Sequence, residues 1–188
     1  IGVIGAGIQA RRQLESLLEV TDCRRVFVWS RDVQRAQSYL DDIKALGFEG
    51  TYVSSPTEVA ARANLIVTTT PSTKPLLQAD WIRPGTHITA VGSDTAEKQE
   101  LTAELVARAD IVVADSISQC LTRGEIHRSL AAGLLDPDVV VELGAVVADP
   151  AFGRSDDAQI TIADLTGVAV QDLQIASAVL VAHSDSMS

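Results

Sequence analysis

Cysteine is scarce in this sequence: Cys23 and Cys120 are the only two in 188 residues, and they lie far apart. Such a pair provides neither a disulfide framework nor a metal-ligand cluster, and it suits a reducing, cytoplasmic setting. Positive charge is also short, with 15 Lys and Arg against 25 Asp and Glu, for a net charge of -10. An acidic surface repels phosphate backbones, which argues against a nucleic-acid partner; any bound phosphate must be held by local donors. No apolar run approaches the roughly 20 residues that a membrane span needs. The initiator Met is missing as well, and the first residues already read as a strand, so truncation ahead of Ile1 is expected. His87 falls within a strand, and His127 and His183 within helical stretches, so all three are expected to be structural.

What the chain does have is 46% hydrophobic residues, enough for one domain with a real core. Apolar runs alternate with amphipathic stretches. "IGVIG", "RVFVW", "TYV", "NLIVTTT", "THITAVG", "DIVVAD" and "QITIADLTG" are expected strands. Between and after them, helices are expected over residues 9–20, 32–46, 55–63, 122–133 and 168–182. Two helix starts carry capping-box spacing: Ser55 with Glu58, and Thr122 with Glu125. Near-continuous apolar strands alternating with helices predict an α/β fold: a Rossmann-type, doubly wound, mostly parallel sheet with helices on both faces. Ligands of such sheets sit beyond the strands' C-terminal ends, so the strand exits are where chemistry is sought.

At the first exit, Gly5, Gly7 and Ala10 fit G-x-G-x-x-G/A. The first glycine allows the tight turn, the second lets backbone approach a pyrophosphate, and the small third residue lets helix and strand pack. The following helix N-terminus offers free N–H groups to phosphate. At the second exit a binder of NAD usually carries an acid for the ribose 2′-hydroxyl, whereas this chain has Ser30 and Arg31. A hydroxyl and a guanidinium suit a 2′-phosphate, which favours NADP(H) over NAD(H); the alternative is that Arg31 is a solvated charge. Asp32 falls one residue late and is expected to cap the next helix. Thr68 and Thr69 end the fourth strand with hydroxyls that can face a ribose, although threonine is also an ordinary strand residue. At the "AVGSDTAEKQE" exit, Asp94 has two readings on residue type alone: a proton-transfer group, or a capping box with Glu97.

Taken together, "GVIGAGIQARRQLE", "VWSRD", "IVTTTPS", "HITAVGSD" with "KQEL", "ADSISQC", "GE" and "DLTGVAVQDLQIA" resemble the ornithine cyclodeaminase/μ-crystallin family over nearly the whole chain. The stretch around Asp94 is most similar to its ectoine-utilisation cyclodeaminase-like branch. The resemblance implies that Asp94 is the catalytic acid/base and that Lys98 lies near the cofactor. It places Ile8 and Gln9 at the pyrophosphate, Thr68 near the ribose, and Ile88 to Val91 under the nicotinamide. It makes Thr166, Gly167 and Val168 a late turn closing over the nicotinamide.

The resemblance further implies that all of 1–188 is a dinucleotide-binding domain. The substrate and homodimerisation half would be absent, with residues 164–188 returning towards it. The implied activity is at the Cα–N bond of a small amino acid. In the cyclodeaminase version, Cα hydride passes to the oxidised cofactor, the side-chain amine attacks the iminium, ammonia leaves, and returned hydride gives a cyclic amino acid. NADPH-dependent reduction of a cyclic ketimine and dehydrogenation of an alanine-like substrate are alternatives. A non-catalytic, crystallin-like NADPH-binding protein is an alternative of another class.

Overall fold

A computed structural model describes residues 1–186. In chain order its elements are β1 (Gly2–Ile4), α1 (Ile8–Leu17), β2 (Arg25–Trp29), α2 (Val33–Ala45), β3 (Glu49–Tyr52), α3 (Pro56–Arg62), β4 (Leu65–Thr68) and β5 (His87–Ala90). They continue with α4 (Ala103–Arg108), β6 (Ile111–Ala114), α5 (Ile117–Cys120), α6 (Gly124–Ala131), β7 (Val140–Glu142), α7 (Leu143–Ala148), β8 (Thr161–Asp164) and α8 (Ala169–Ser186). The strands form one sheet in the order β3-β2-β1-β4-β5-β8-β6-β7, every neighbouring pair parallel. This is the Rossmann-type arrangement expected from the alternation of apolar runs and helices. Its strand order reverses between β1 and β4, where a crevice opens.

Because successive strand residues point to opposite faces, Val3 and Ile4 belong to different cores. Val3, Val26 and Val28 pack with Ala10 and Leu14 of α1 and Tyr39 and Ile43 of α2. The Tyr39 hydroxyl donates to the Ala10 carbonyl at 3.0 Å and ties the two helices together. On the other face Ile4, Ile66, Ile88, Val112 and Ile162 pack under Val59, Leu105 and Ile126 of α3, α4 and α6. The first face is covered only in part beyond β1. There Leu65, His87, Val113, Val146, Phe152 and Arg154 line an open hollow of about 410 Å³ at the strands' N-terminal ends.

Local chemistry explains the helix starts, with one correction. Asp32 caps α2, its carboxylate accepting from Gln34 N and Arg35 N at 3.0 and 3.1 Å. The Ser55 hydroxyl accepts from Glu58 N at 3.2 Å, and Glu58 reaches back to Ser54 N at 3.0 Å. The box expected from Thr122 and Glu125 does not form. Arg123 is the N-cap of α6, the Thr122 hydroxyl donates to Gln119 O, and Glu125 turns inward to two amides of another segment. Tertiary demand for a buried acceptor outweighs the local spacing. Four elements were not anticipated: the short helices α4 and α5, and β7 and α7, which follow a run of acids and turn residues. The last helix, α8, is apolar yet exposed at Leu173, Ile175, Val179, Leu180 and Val181.

Candidate active site

The exits of β1, β2 and β4 meet at the reversal point and enclose a cleft of about 210 Å³, lined by Gly5 to Gly7, Trp29 to Asp32, Arg35 and Thr69 to Ser72. Gly5 is required twice. Its φ is +120°, and a Cβ there would lie 2.5 Å from Thr69 Oγ1. Gly7 is different: its backbone is extended, and a Cβ would meet nothing within 4 Å. The second glycine therefore leaves open space over the start of α1, whose N-cap makes no side-chain hydrogen bond. Ile8 and Gln9 are exposed at that helix start, while Ala10 is fully buried against the sheet. Open room, unshared helix amides and a positive dipole end fit the pyrophosphate of a dinucleotide. Thr69 Oγ1, buried and without a partner, faces the same turn.

At the β2 exit, Ser30 and the exposed Arg31 line the cleft. Arg35, one helical turn on, joins them, and the sequence reading had not included it. Asp32 also borders the cleft, but both Gln34 N and Arg35 N bind its carboxylate, and Arg35 Nε lies 3.5 Å from it. The acid is thereby engaged as a cap; Ser30 Oγ accepts from Asp32 N at 3.3 Å, and Arg31 is exposed along the cleft.

The structure divides the threonines differently from expectation. Thr69 and Thr70 line the cleft. Thr68 is fully buried, and its hydroxyl donates to Glu100 Oε2 at 2.7 Å, so it faces the interior and not the cleft. Ile88 likewise is a core residue with no exposure. Val91 stands half-buried at the β5 exit, its amide donating to Thr68 O at 2.9 Å. The β4 and β5 exits are thus stitched side by side.

Asp94 sits on the loop after β5, outside the cleft lining, with its side chain 53% exposed and 2.5 Å from Lys98 Nζ. Residues 94–98 are not helical, so the capping-box reading of Asp94 with Glu97 does not hold. Glu97 is instead held by its own amide and the Thr95 hydroxyl, which keep it below the usual carboxylate range. The loop is closed by Ser93 Oγ donating to Lys98 O at 2.8 Å.

Below this loop is a feature that sequence reading missed. Glu100, Glu125 and Asp164 are all buried, and Asp115 at the β6 exit adds a fourth carboxylate. Burial raises Glu125 to about 8 and Asp164 to about 7, and neighbouring carboxylates add to both shifts. Asp164 Oδ2 accepts from Ile126 N at 2.9 Å at the start of α6, whereas its Oδ1 has no partner. Asp115 accepts from Thr166 Oγ1 at 3.1 Å and from Gly167 N at 2.7 Å. It thereby holds the Thr166–Gly167 turn, whose Gly167 has φ +85° and is followed by half-buried Val168. All four acids fall in stretches that carry the family resemblance, "KQEL", "ADSISQC", "GE" and "DLTG", but nothing in their spacing gives them a role.

The larger hollow at the opposite sheet end is not the site. His87 there is bound by the hydroxyls of Thr161 and Thr89 at 2.7 and 3.0 Å, and burial lowers it to about 4, which keeps it neutral. Among the described residues no group of acids, cysteines and histidines is arranged to hold a metal, and no helix is long and apolar enough to cross a membrane.

Comparison with known proteins agrees with this geometry. The model of the ornithine cyclodeaminase/mu-crystallin family matches residues 1–186. An uncharacterised cyclodeaminase of Sinorhizobium fredii is 42% identical over 177 residues, 93% of this chain and 54% of that protein. The structure of an archaeal alanine dehydrogenase dimer with bound NAD superposes with a TM-score of 0.87 at 37% identity, covering 94% of this chain and 54% of that one. The iminosuccinate reductase of Paracoccus denitrificans, solved with NAD+, gives a TM-score of 0.84 at 40% identity, covering 95% and 55%. The chain therefore spans about half the length of the relatives it matches.

Proposed function

This chain belongs to the ornithine cyclodeaminase/mu-crystallin family, and from that premise we propose that it is the dinucleotide-binding part of an NAD(P)-dependent enzyme. The enzyme acts at the Cα–N bond of a small amino acid or its imine, as a cyclodeaminase of ornithine-like substrates or a related oxidoreductase. The single observation that carries the reading is the cleft at the β1/β4 reversal. Its Gly7 leaves room for a pyrophosphate, and the loop bearing Asp94 adjoins it through the paired β4 and β5 exits. The relatives' solved structures with NAD, and the reductase and dehydrogenase names among them, support the same class.

When bound, the nicotinamide supplies a hydride acceptor or donor. Gly5, Gly7, Ile8, Gln9 and Ala10 would hold the pyrophosphate, with Thr69 beside the turn. Val91 and the Thr166–Val168 turn would border the nicotinamide. Asp94, exposed and ion-paired with Lys98, is the acid/base that moves protons to and from the substrate amine. For the cofactor's ribose, Ser30 and Arg31 favour NADP(H) over NAD(H), because Asp32 is already occupied as the α2 cap. That preference in turn favours reduction of a cyclic ketimine as the working direction. The open face beyond β1 and the exposed apolar α8 are surfaces that a substrate and homodimerisation half would cover, in a cytoplasmic enzyme.

The test is turnover by the full-length protein on a panel of ornithine-like amino acids, alanine and cyclic imines, with each cofactor. Asp94→Asn is expected to lower kcat by roughly 10²–10⁴-fold while leaving cofactor binding intact. Full activity in that variant removes the acid/base assignment.

A further inference from the structure

Glu100 occupies an unusual position, since it lies in the interior yet touches both strand exits that flank the reaction centre. Its side chain has no exposure. Oε2 accepts from Thr68 Oγ1 at 2.7 Å and from Gly92 N at 2.9 Å, and Oε1 accepts from Thr70 N at 2.5 Å. One carboxylate therefore holds the end of β4 and the end of β5 together. It also closes the loop to which it belongs, because Gly92 opens that loop and Glu100 ends it.

The main chain around Glu100 is equally committed. Its amide donates to Glu125 Oε1 at 2.7 Å, the next amide, Leu101 N, donates to Glu125 Oε2 at 3.0 Å, and its carbonyl accepts from Leu76 N and Leu77 N at 2.6 and 3.0 Å. The fit leaves no slack. A Cβ at Gly92 would lie 2.2 Å from Thr70 O and 2.6 Å from Glu100 Cδ. The two exits are thus in backbone contact, and beyond the last ladder bond, from Val91 N to Thr68 O, the Glu100 side chain is what joins them.

We propose that Glu100 is a positioning residue. It sets where the Asp94 loop stands relative to the dinucleotide cleft, and Glu125 holds Glu100 in place. The proposal rests on the reading of Asp94 as the acid/base. It deepens that reading by assigning roles to two buried carboxylates that do not touch the reacting atoms. Neither residue is accounted for by local structure: Glu100 lies outside any helix or strand, and Glu125 does not cap the helix that contains it.

Glu100→Gln is the informative change. The amide has one acceptor oxygen, so its NH2 must face the N–H of either Thr70 or Gly92, and that amide loses its acceptor. In the full-length protein, kcat should fall by roughly 10–100-fold while substrate KM and cofactor Kd stay within about threefold, since small misplacement costs rate rather than affinity. In the cofactor-free protein, amide exchange should rise in peptides spanning residues 68–72 and 91–98 and nowhere else.

An unchanged kcat with unchanged exchange overturns the proposal. So does a loss spread evenly over kcat, KM and protection of the whole sheet, which marks a merely structural residue. If Glu100→Gln does not fold, Glu125→Gln decides by the same split, with a smaller fall in kcat expected. A fully active Asp94→Asn removes the reading beneath the proposal, whereas an inactive Asp94→Asn beside a fully active Glu100→Gln overturns the proposal alone.

Discussion

The two halves of the strand-exit edge are built on opposite principles. At β1, β2 and β4 the edge is open, lined by glycine, hydroxyls and two arginines, and shaped by what is missing: Gly7 faces empty space. At β5, β6 and β8 the edge is filled from beneath by carboxylates that bind backbone amides of distant segments. The first half leaves the room that the proposed dinucleotide needs, and the second holds its own loops by hydrogen bonds. A parallel sheet gives every strand exit the same geometry, so the difference comes entirely from the residues placed there. The comparison also reconciles the proposed phosphate site with the chain's acidity. Glu100, Glu125 and Asp164 at the far half are buried, and the cleft half presents Arg31 and Arg35.

The sharpest way to break this comparison is at the two glycines, where the largest effects are expected. Gly7→Ala adds a methyl group where nothing lies within 4 Å, in extended backbone that any residue adopts. It should leave the melting temperature unchanged and weaken dinucleotide binding by roughly 100-fold, because the methyl enters the space required by the pyrophosphate. Gly5→Ala should lose both, since φ +120° and the 2.5 Å approach to Thr69 Oγ1 strain the fold itself by about 1–3 kcal/mol. Quenching of Trp29, which lines the cleft, follows binding directly. If Gly7→Ala bound as well as the parent, the open half would not be a phosphate site.

A smaller effect sharpens the ligand's identity. Arg31→Ala should weaken NADPH by roughly tenfold or more, the value of a charge-assisted contact of about 1.5–3 kcal/mol, and NADH by less than about threefold. Titration with both cofactors measures the ratio. Equal losses would return Arg31 to the status of a solvated charge and leave the choice of cofactor to Asp32.

The same division decides what could be read from the sequence. The open half was legible because its requirements are local: a turn with positive φ needs Gly5, and a cap needs Asp32 two and three residues before the amides it accepts from. The doubly wound sheet was legible for the same reason, through runs and periodicity. The carboxylate half was not. Glu125 meets its partners across a sequence separation of 24 to 25 residues, and Asp164 across 38, distances at which spacing carries no information. Glu125 even presented a false local signal, three residues after Thr122. Thr68 shows the same limit within a single residue. Its place at a strand exit was correct, but the direction of its hydroxyl depended on an acid 32 residues away.

The smallest expected effect tests whether the filled half is as tightly closed as its hydrogen bonds imply. Asp164 and Glu125 are raised to about 7 and about 8 by burial, with Asp115 and Glu100 adding repulsion. Each acid therefore binds its proton more tightly folded than unfolded, and folding takes up protons between about pH 4 and 8. Stability should be greatest towards the lower end of that range and fall as pH rises through 7 to 8, the reverse of a salt-bridged carboxylate. Asp164→Asn should flatten part of this slope. The amide oxygen still accepts from Ile126 N, and the NH2 takes the place of Oδ1, which has no partner to lose. Melting curves from pH 5.5 to 8.5 should therefore show a decline in the parent that the variant reduces. A parent melting temperature that does not change with pH would mean that water reaches these acids, and that the two halves differ less than their geometry shows.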